Sequence, residues 1–145
     1  MDEALHREFE DLTFPNDITD LYAKIIVADP WLGNVLFFIA RRLELNKQAG
    51  IEMYGVTVTD IVDNLSVTRP VQHKGENNQL EYKKEKTNID RKHAERIITN
   101  LRNMSLCFYS RPAGRTNFYF VTVRGLQVLE RATQLIKNNE KISEE

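Results

Sequence analysis

A chain of 145 residues, 41% hydrophobic and 28% charged, has the composition of one globular domain that buries its core without metal or disulfide. It has no apolar run long enough to span a bilayer, its start Met1-Asp2-Glu3-Ala4 is unlike a targeting signal, and Cys107 has no second cysteine to pair with, so the cytoplasm is the expected compartment. The net charge of −1 hides an asymmetry: residues 66–124 carry 12 Lys and Arg against 5 Asp and Glu, whereas residues 1–30 carry 2 against 8.

In chain order, a first helix is expected over Asp2–Leu12, before Phe14-Pro15-Asn16. Asn16 or Asp17 can cap a second, with Ile18, Leu21, Tyr22, Ile25 and Ile26 at helical spacing. Asp29-Pro30 restarts the chain into a helix from Trp31 to about Asn46, rich enough in Leu, Val, Phe, Ile and Ala to be the central core element. Gly50 ends it, and Glu52–Val56 reads as a short strand. Thr57 and Asp60 have capping-box spacing, opening a short helix through Leu65.

Residues 66–88 are polar, with Pro70, Gly75 and Lys83-Lys84, and lack clear periodicity. They read as a functional loop, a partly disordered segment or a small hairpin with one strand at Gln79–Tyr82. Thr87 and Asp90 repeat the cap spacing ahead of a helix over about 88–104. Ala94, Ile97, Ile98, Leu101 and Met104 form its apolar stripe, and Arg91, Lys92, Glu95, Arg96, Thr99 and Arg102 its polar side. Leu106–Tyr109 and Asn117–Val123 alternate as strands around Pro112-Ala113-Gly114. Thr122 can cap a last helix reaching about Asn138, with a stripe of Leu126, Val128, Leu129, Ala132, Leu135 and Ile136.

The fold class expected is mainly α with a small β-hairpin (α+β), in one domain. An acidic helical extension (1–30) precedes a core (31–125) carrying the polar insertion 66–88, and a last helix and tail follow (126–145). A basic amphipathic helix running straight into a hairpin with arginines at its tip puts two cationic elements side by side, which suits a duplex. Candidate DNA-contacting residues are Asn88, Asp90, Arg91, Lys92, His93 and Arg96 near the helix, Arg111, Arg115 and Asn117 on the hairpin, and Lys83 and Lys84 in the insertion. Lys86 is a further phosphate candidate. The alternatives are a solvated surface with pairs such as Arg91–Glu95, and, for His93 and Asn100, a cover over the core.

Three stretches, 57–65, 94–106 and 114–125, resemble the winged helix-turn-helix proteins, most like the MarR group of transcription regulators. There they match the first helix of the motif, the recognition helix with its exit, and the second strand of the wing with the start of the next helix. Ser105 stands where that group often has glycine. Two features depart from the group: the insertion 66–88 replaces a short turn, and the hairpin carries Arg111 and Arg115 instead of an Asp-x-Arg arrangement. The resemblance implies a winged-helix fold with flanking terminal helices that dimerise, and a homodimer on palindromic double-stranded DNA in a nucleoid-associated transcriptional regulator.

A plasmid or phage replication or partition adaptor on DNA, and a winged-helix protein–protein module that meets an acidic partner, are the alternative functions. Cys107 reads as a core residue in preference to a thiol switch. His6, His73 and His93 make no ligand set, and no phosphate-cradling glycine loop or nucleophile motif is present, so neither cofactor, metal nor enzyme activity is expected. Nothing in the sequence argues for or against a small-molecule effector.

Overall fold

A computed structural model describes residues 1–50, 55–76, 79–112 and 114–144. Helices α1 (Glu3–Glu8), α2 (Asn16–Ala28) and α3 (Pro30–Gln48) come first, followed by α4 (Val58–Asn64). The hairpin β1 (Ser66–Lys74) and β2 (Leu80–Asn88) separates α4 from α5 (Arg91–Asn103). Strands β3 (Cys107–Ser110) and β4 (Phe118–Val121) then lead into α6 (Val123–Glu144). The architecture is mainly helical, with two small two-stranded antiparallel sheets. Among the described residues no single helix is long and apolar enough to cross a membrane.

Helix starts follow their caps, with two corrections. Asp29 accepts from the Trp31 N–H, with Pro30 in the first turn, and Thr57 and Asp60 form a complete capping box. However, α2 is capped by Pro15 without a side-chain bond, not by Asn16 or Asp17. Thr87 caps nothing: it lies within β2, and Asp90 is the N-cap of α5. Of the expected strand Glu52–Val56, residues 52–54 fall outside the described residues. Val56 makes a two-bond bridge to Tyr119, its N–H donating at 3.0 Å and its carbonyl accepting at 2.8 Å.

The core is one cluster fed by most helices: Ala23 and Ile26 of α2, Val35, Leu36 and Ile39 of α3, Ile61 of α4, Ile97, Ile98 and Leu101 of α5, and Val128 and Ala132 of α6. Cys107 is fully buried within it, and burial pushes its thiol pKa up to about 12, so it stays protonated as a small apolar residue. Helix α2 meets α3 at 108° and packs on α6, where Asp20 pairs with Arg131 at 2.6 Å. Its predicted stripe is only half used, since Ile18, Leu21 and Ile25 remain exposed while Thr19, Ala23 and Ile26 turn inward.

The start of α6 is knotted to the exit of α5. Ser105 takes a left-handed φ of 66°, a conformation that favours glycine, and its carbonyl accepts from Thr122 Oγ1 at 2.8 Å. Gly125 sits so close that a Cβ there would lie 2.4 Å from the Leu106 carbonyl oxygen. Gly125→Ala must push apart α6 and the entry to β3. It is expected to cost about 1–3 kcal/mol in chemical denaturation, and an unchanged midpoint would contradict this packing.

The amino-terminal segment is clamped onto β3. Tyr109 donates its N–H to the Met1 carbonyl at 3.2 Å, and the His6 ring lies flat on Phe108 at 3.6 Å, with Phe108 stacked in turn on Phe120 at 5.1 Å. Burial first, then the positive charge of Arg124, lower the His6 pKa below its ordinary 6.5, against the raising effect of Glu10 and Glu3. A base with a depressed folded pKa binds more protons when unfolded. Its contribution is therefore complete above about pH 6.5 and is lost as the pH falls through that value toward the folded pKa. Thermal melts from pH 7 to pH 5 should show this loss in the native chain and a smaller one in His6→Phe. Identical pH profiles would remove His6 as the cause.

Candidate nucleic-acid interface

Three segments far apart in sequence line one polar cleft of about 400 Å³: Thr57–Thr59 at the start of α4, Arg91, Glu95 and Thr99 on α5, and Arg111 and Arg115–Asn117 around the β3–β4 turn with Tyr119. The Val56–Tyr119 bridge brings them together by pinning the start of α4 against β4. Helix α5 contributes its exposed side because Ala94, Ile97, Ile98 and Leu101 are spent on the core, as their spacing predicts.

Within the cleft, Arg91 Nη1 donates to Thr59 Oγ1 at 3.2 Å and its Nε lies 3.3 Å from Glu95 Oε1. Both partners of that pair are more than half exposed, so it holds Arg91 only weakly. Arg111 Nε donates to Asn117 Oδ1, and Asn117 Nδ2 donates to the Tyr119 hydroxyl at 3.2 Å. The Arg111 guanidinium also lies 5.2 Å from the centre of the Tyr109 ring. Asn117 is thus a half-buried brace for Arg111. Arg115, at the turn, is exposed and lines the cleft. A second groove runs along the other side of the same helical face, lined by Asp90, Lys92, Arg96 and Asn100, and it shares Glu95 and Thr99 with the cleft.

Several candidates sit elsewhere. His93 turns into the body, edge-on to Trp31 with ring centres 5.4 Å apart, and is half buried. Asn88 is the last residue of β2 and does not belong to α5, while Asp90 caps α5 through its backbone and leaves its carboxylate in the groove. Lys83 and Lys84 are adjacent in β2 and therefore on opposite faces of the hairpin. Neither lines the cleft.

Two of the arginines and lysines in the basic stretch are structural. Arg102 lies 4.3 Å over the Tyr109 ring. Arg124 is 1% exposed and adds nothing to the surface. Its Nη1 donates to the carbonyls of Phe9 (2.9 Å) and Leu12 (2.6 Å), and its Nε to Ser105 Oγ (2.9 Å) and to the Ser105 carbonyl (3.3 Å).

Of the threonines that line the cleft, Thr57 was read only as a cap and Thr99 only as part of the polar side of α5, while Thr59 and Thr116 were not singled out from the sequence. Isolated threonines carry no signal until the fold converges them. Among the described residues no group of three or more His, Cys, Asp or Glu side chains could hold a metal ion. No family model, curated protein or solved structure matches this chain.

Proposed function

We propose that the chain is a winged-helix protein that binds double-stranded DNA as a homodimer and acts as a transcriptional regulator. The observation that carries this reading is the convergence of Arg91 with Arg111 and Arg115, from segments some twenty residues apart, in one cleft beside the exposed Lys92 and Arg96. On this reading α5 enters the major groove with Arg91, Lys92 and Arg96 toward base edges and phosphates. The β3–β4 turn lays Arg111 and Arg115 on the adjoining backbone or minor groove. Glu95 pairs with Arg91 until a phosphate or base replaces it, and an exposed pair of this kind is cheap to break.

Dimerisation is supported by apolar surface left open between α3 and α6. Phe37 and Leu45 on α3, with Leu126 and Ile136 on α6, are each about half exposed. They border grooves that Ile26, Val27 and Leu129 continue and that Arg41, Glu44 and Glu130 edge. Both charge signs at the edge of an apolar strip allow the same patch to meet itself across a two-fold axis. The N-terminal part in this pairing is α2, with α3 and α6 as the main faces.

Selection of bound duplexes from a random pool tests the function. A symmetric motif with half-sites about one helical turn apart is the expected outcome. A pool that emerges without enrichment would overturn sequence-specific regulation.

A further inference from the structure

Among the described residues, the β1–β2 hairpin contributes no side chain to the core or to the cleft. It is anchored at its base, where the Ile89 N–H donates to the Leu65 carbonyl at 3.1 Å, and its nine-residue strands pair from Ser66–Asn88 out to Lys74–Leu80. Alternation along β2 places Leu80, Tyr82, Lys84, Lys86 and Asn88 on one face and Glu81, Lys83, Glu85 and Thr87 on the other. The register sets Gln72 opposite Tyr82 and Lys74 opposite Leu80, so both join the first face.

The two faces differ in kind. On the second, Lys83 stands between Glu81 and Glu85, and Glu85 and Thr87 are half buried. On the first, every β2 residue is exposed, three lysines meet no carboxylate along the strand, and Tyr82 and Leu80 stand 69% and 62% exposed. A hairpin kept only for solubility would gain nothing from gathering its unopposed lysines around an exposed ring and an exposed leucine.

We propose that this face is a second arm on duplex DNA, gripping the stretch that flanks the segment held by α5. The proposal rests on the DNA-binding reading above. Charge complementarity names the occupant: Lys74, Lys84 and Lys86 meet phosphates, while Tyr82 and Leu80 cover the sugar edge of a groove wide enough for a two-stranded ribbon. Only Ile89 and Asp90 separate β2 from α5, so the base of the arm lies at the start of that helix. Nine residues at about 3.4 Å each reach about 30 Å, roughly the rise of nine base pairs.

Hydroxyl-radical footprinting and a salt series with the full chain test it, comparing wild type, Lys74→Ala/Lys84→Ala/Lys86→Ala, and Lys83→Ala on a selected duplex. The triple variant should lose a flank of protection, keep the protection given by α5, and show a log affinity against log salt slope shallower by about 2 to 3. Lys83→Ala should match wild type in both measurements. A triple variant with the full footprint and an unchanged slope overturns the arm while leaving the DNA-binding reading intact. One that alters the oligomeric state with the flank retained also overturns it, in favour of a ribbon that holds a second copy. A wild-type chain that protects nothing overturns both.

Discussion

Arg91→Ala is expected to weaken binding to a selected duplex about tenfold or more, and to weaken a scrambled duplex much less. Arg91 is the one guanidinium that α5 presents inside the cleft, held there by Thr59 and Glu95. A bidentate arginine–guanine contact is worth about 1–3 kcal/mol of discrimination, so its loss should relax base preference. Arg115→Ala acts differently. A turn arginine on the backbone should lower affinity for both duplexes alike and make the salt slope shallower by about 1. Anisotropy isotherms on matched and scrambled duplexes separate the two patterns. Equal losses on both duplexes for Arg91→Ala and Arg96→Ala would mean that α5 does not read bases. Lys83, between two glutamates on the other face of the ribbon, should be silent in the same assay.

The second large effect is on stability. Arg124→Leu is expected to cost about 3–5 kcal/mol, because the hydrogen bonds from one buried guanidinium to the carbonyls of Phe9, Leu12 and Ser105 and to Ser105 Oγ are lost together. Arg124→Lys should recover only part of this, since one ammonium cannot reach carbonyls on both sides of a planar fork. Denaturant titration followed by circular dichroism measures the loss. The damage should also extend to DNA binding, because Arg124 ties the segment before α2 to the turn that launches β3, and the Arg111 cleft hangs on that hairpin. A leucine variant as stable as wild type would show that the buried guanidinium is dispensable.

The helices were legible where a cap and an apolar stripe coincided. Asp29-Pro30 and the Thr57–Asp60 box start α3 and α4 as expected, and α5 buries Ala94, Ile97, Ile98 and Leu101. Thr87–Asp90 has the same spacing as Thr57–Asp60 and a different outcome. Ile89 is buried and bonded to the Leu65 carbonyl, which keeps the chain extended until Asp90, so the helix starts later.

The ribbon left little trace in the sequence because, among the described residues, none of its side chains joins the core. Its strands pair along the main chain, no alternation of apolar residues marks them in the sequence, and a small hairpin with one strand at Gln79–Tyr82 was only one of three readings of the stretch. The cationic members of the candidate site were visible as residue types. The neighbourhood of helix and hairpin was expected from their order in the chain, but the membership was not: His93 turns to Trp31, Arg124 is buried, and the Val56–Tyr119 bridge adds the start of α4 to the cleft that Arg91, Arg111 and Arg115 line.

Fluorescence anisotropy of the full chain with a labelled random-sequence duplex of about 30 base pairs, titrated from low to high salt, bears most directly on the polyanion surface. Micromolar or tighter binding is expected at low salt, with log affinity falling linearly against log salt. The slope should correspond to several phosphate contacts and become shallower when Arg91, Arg111 and Arg115 are replaced together. No binding at low salt, or binding indifferent to salt and to those three arginines, would contradict it.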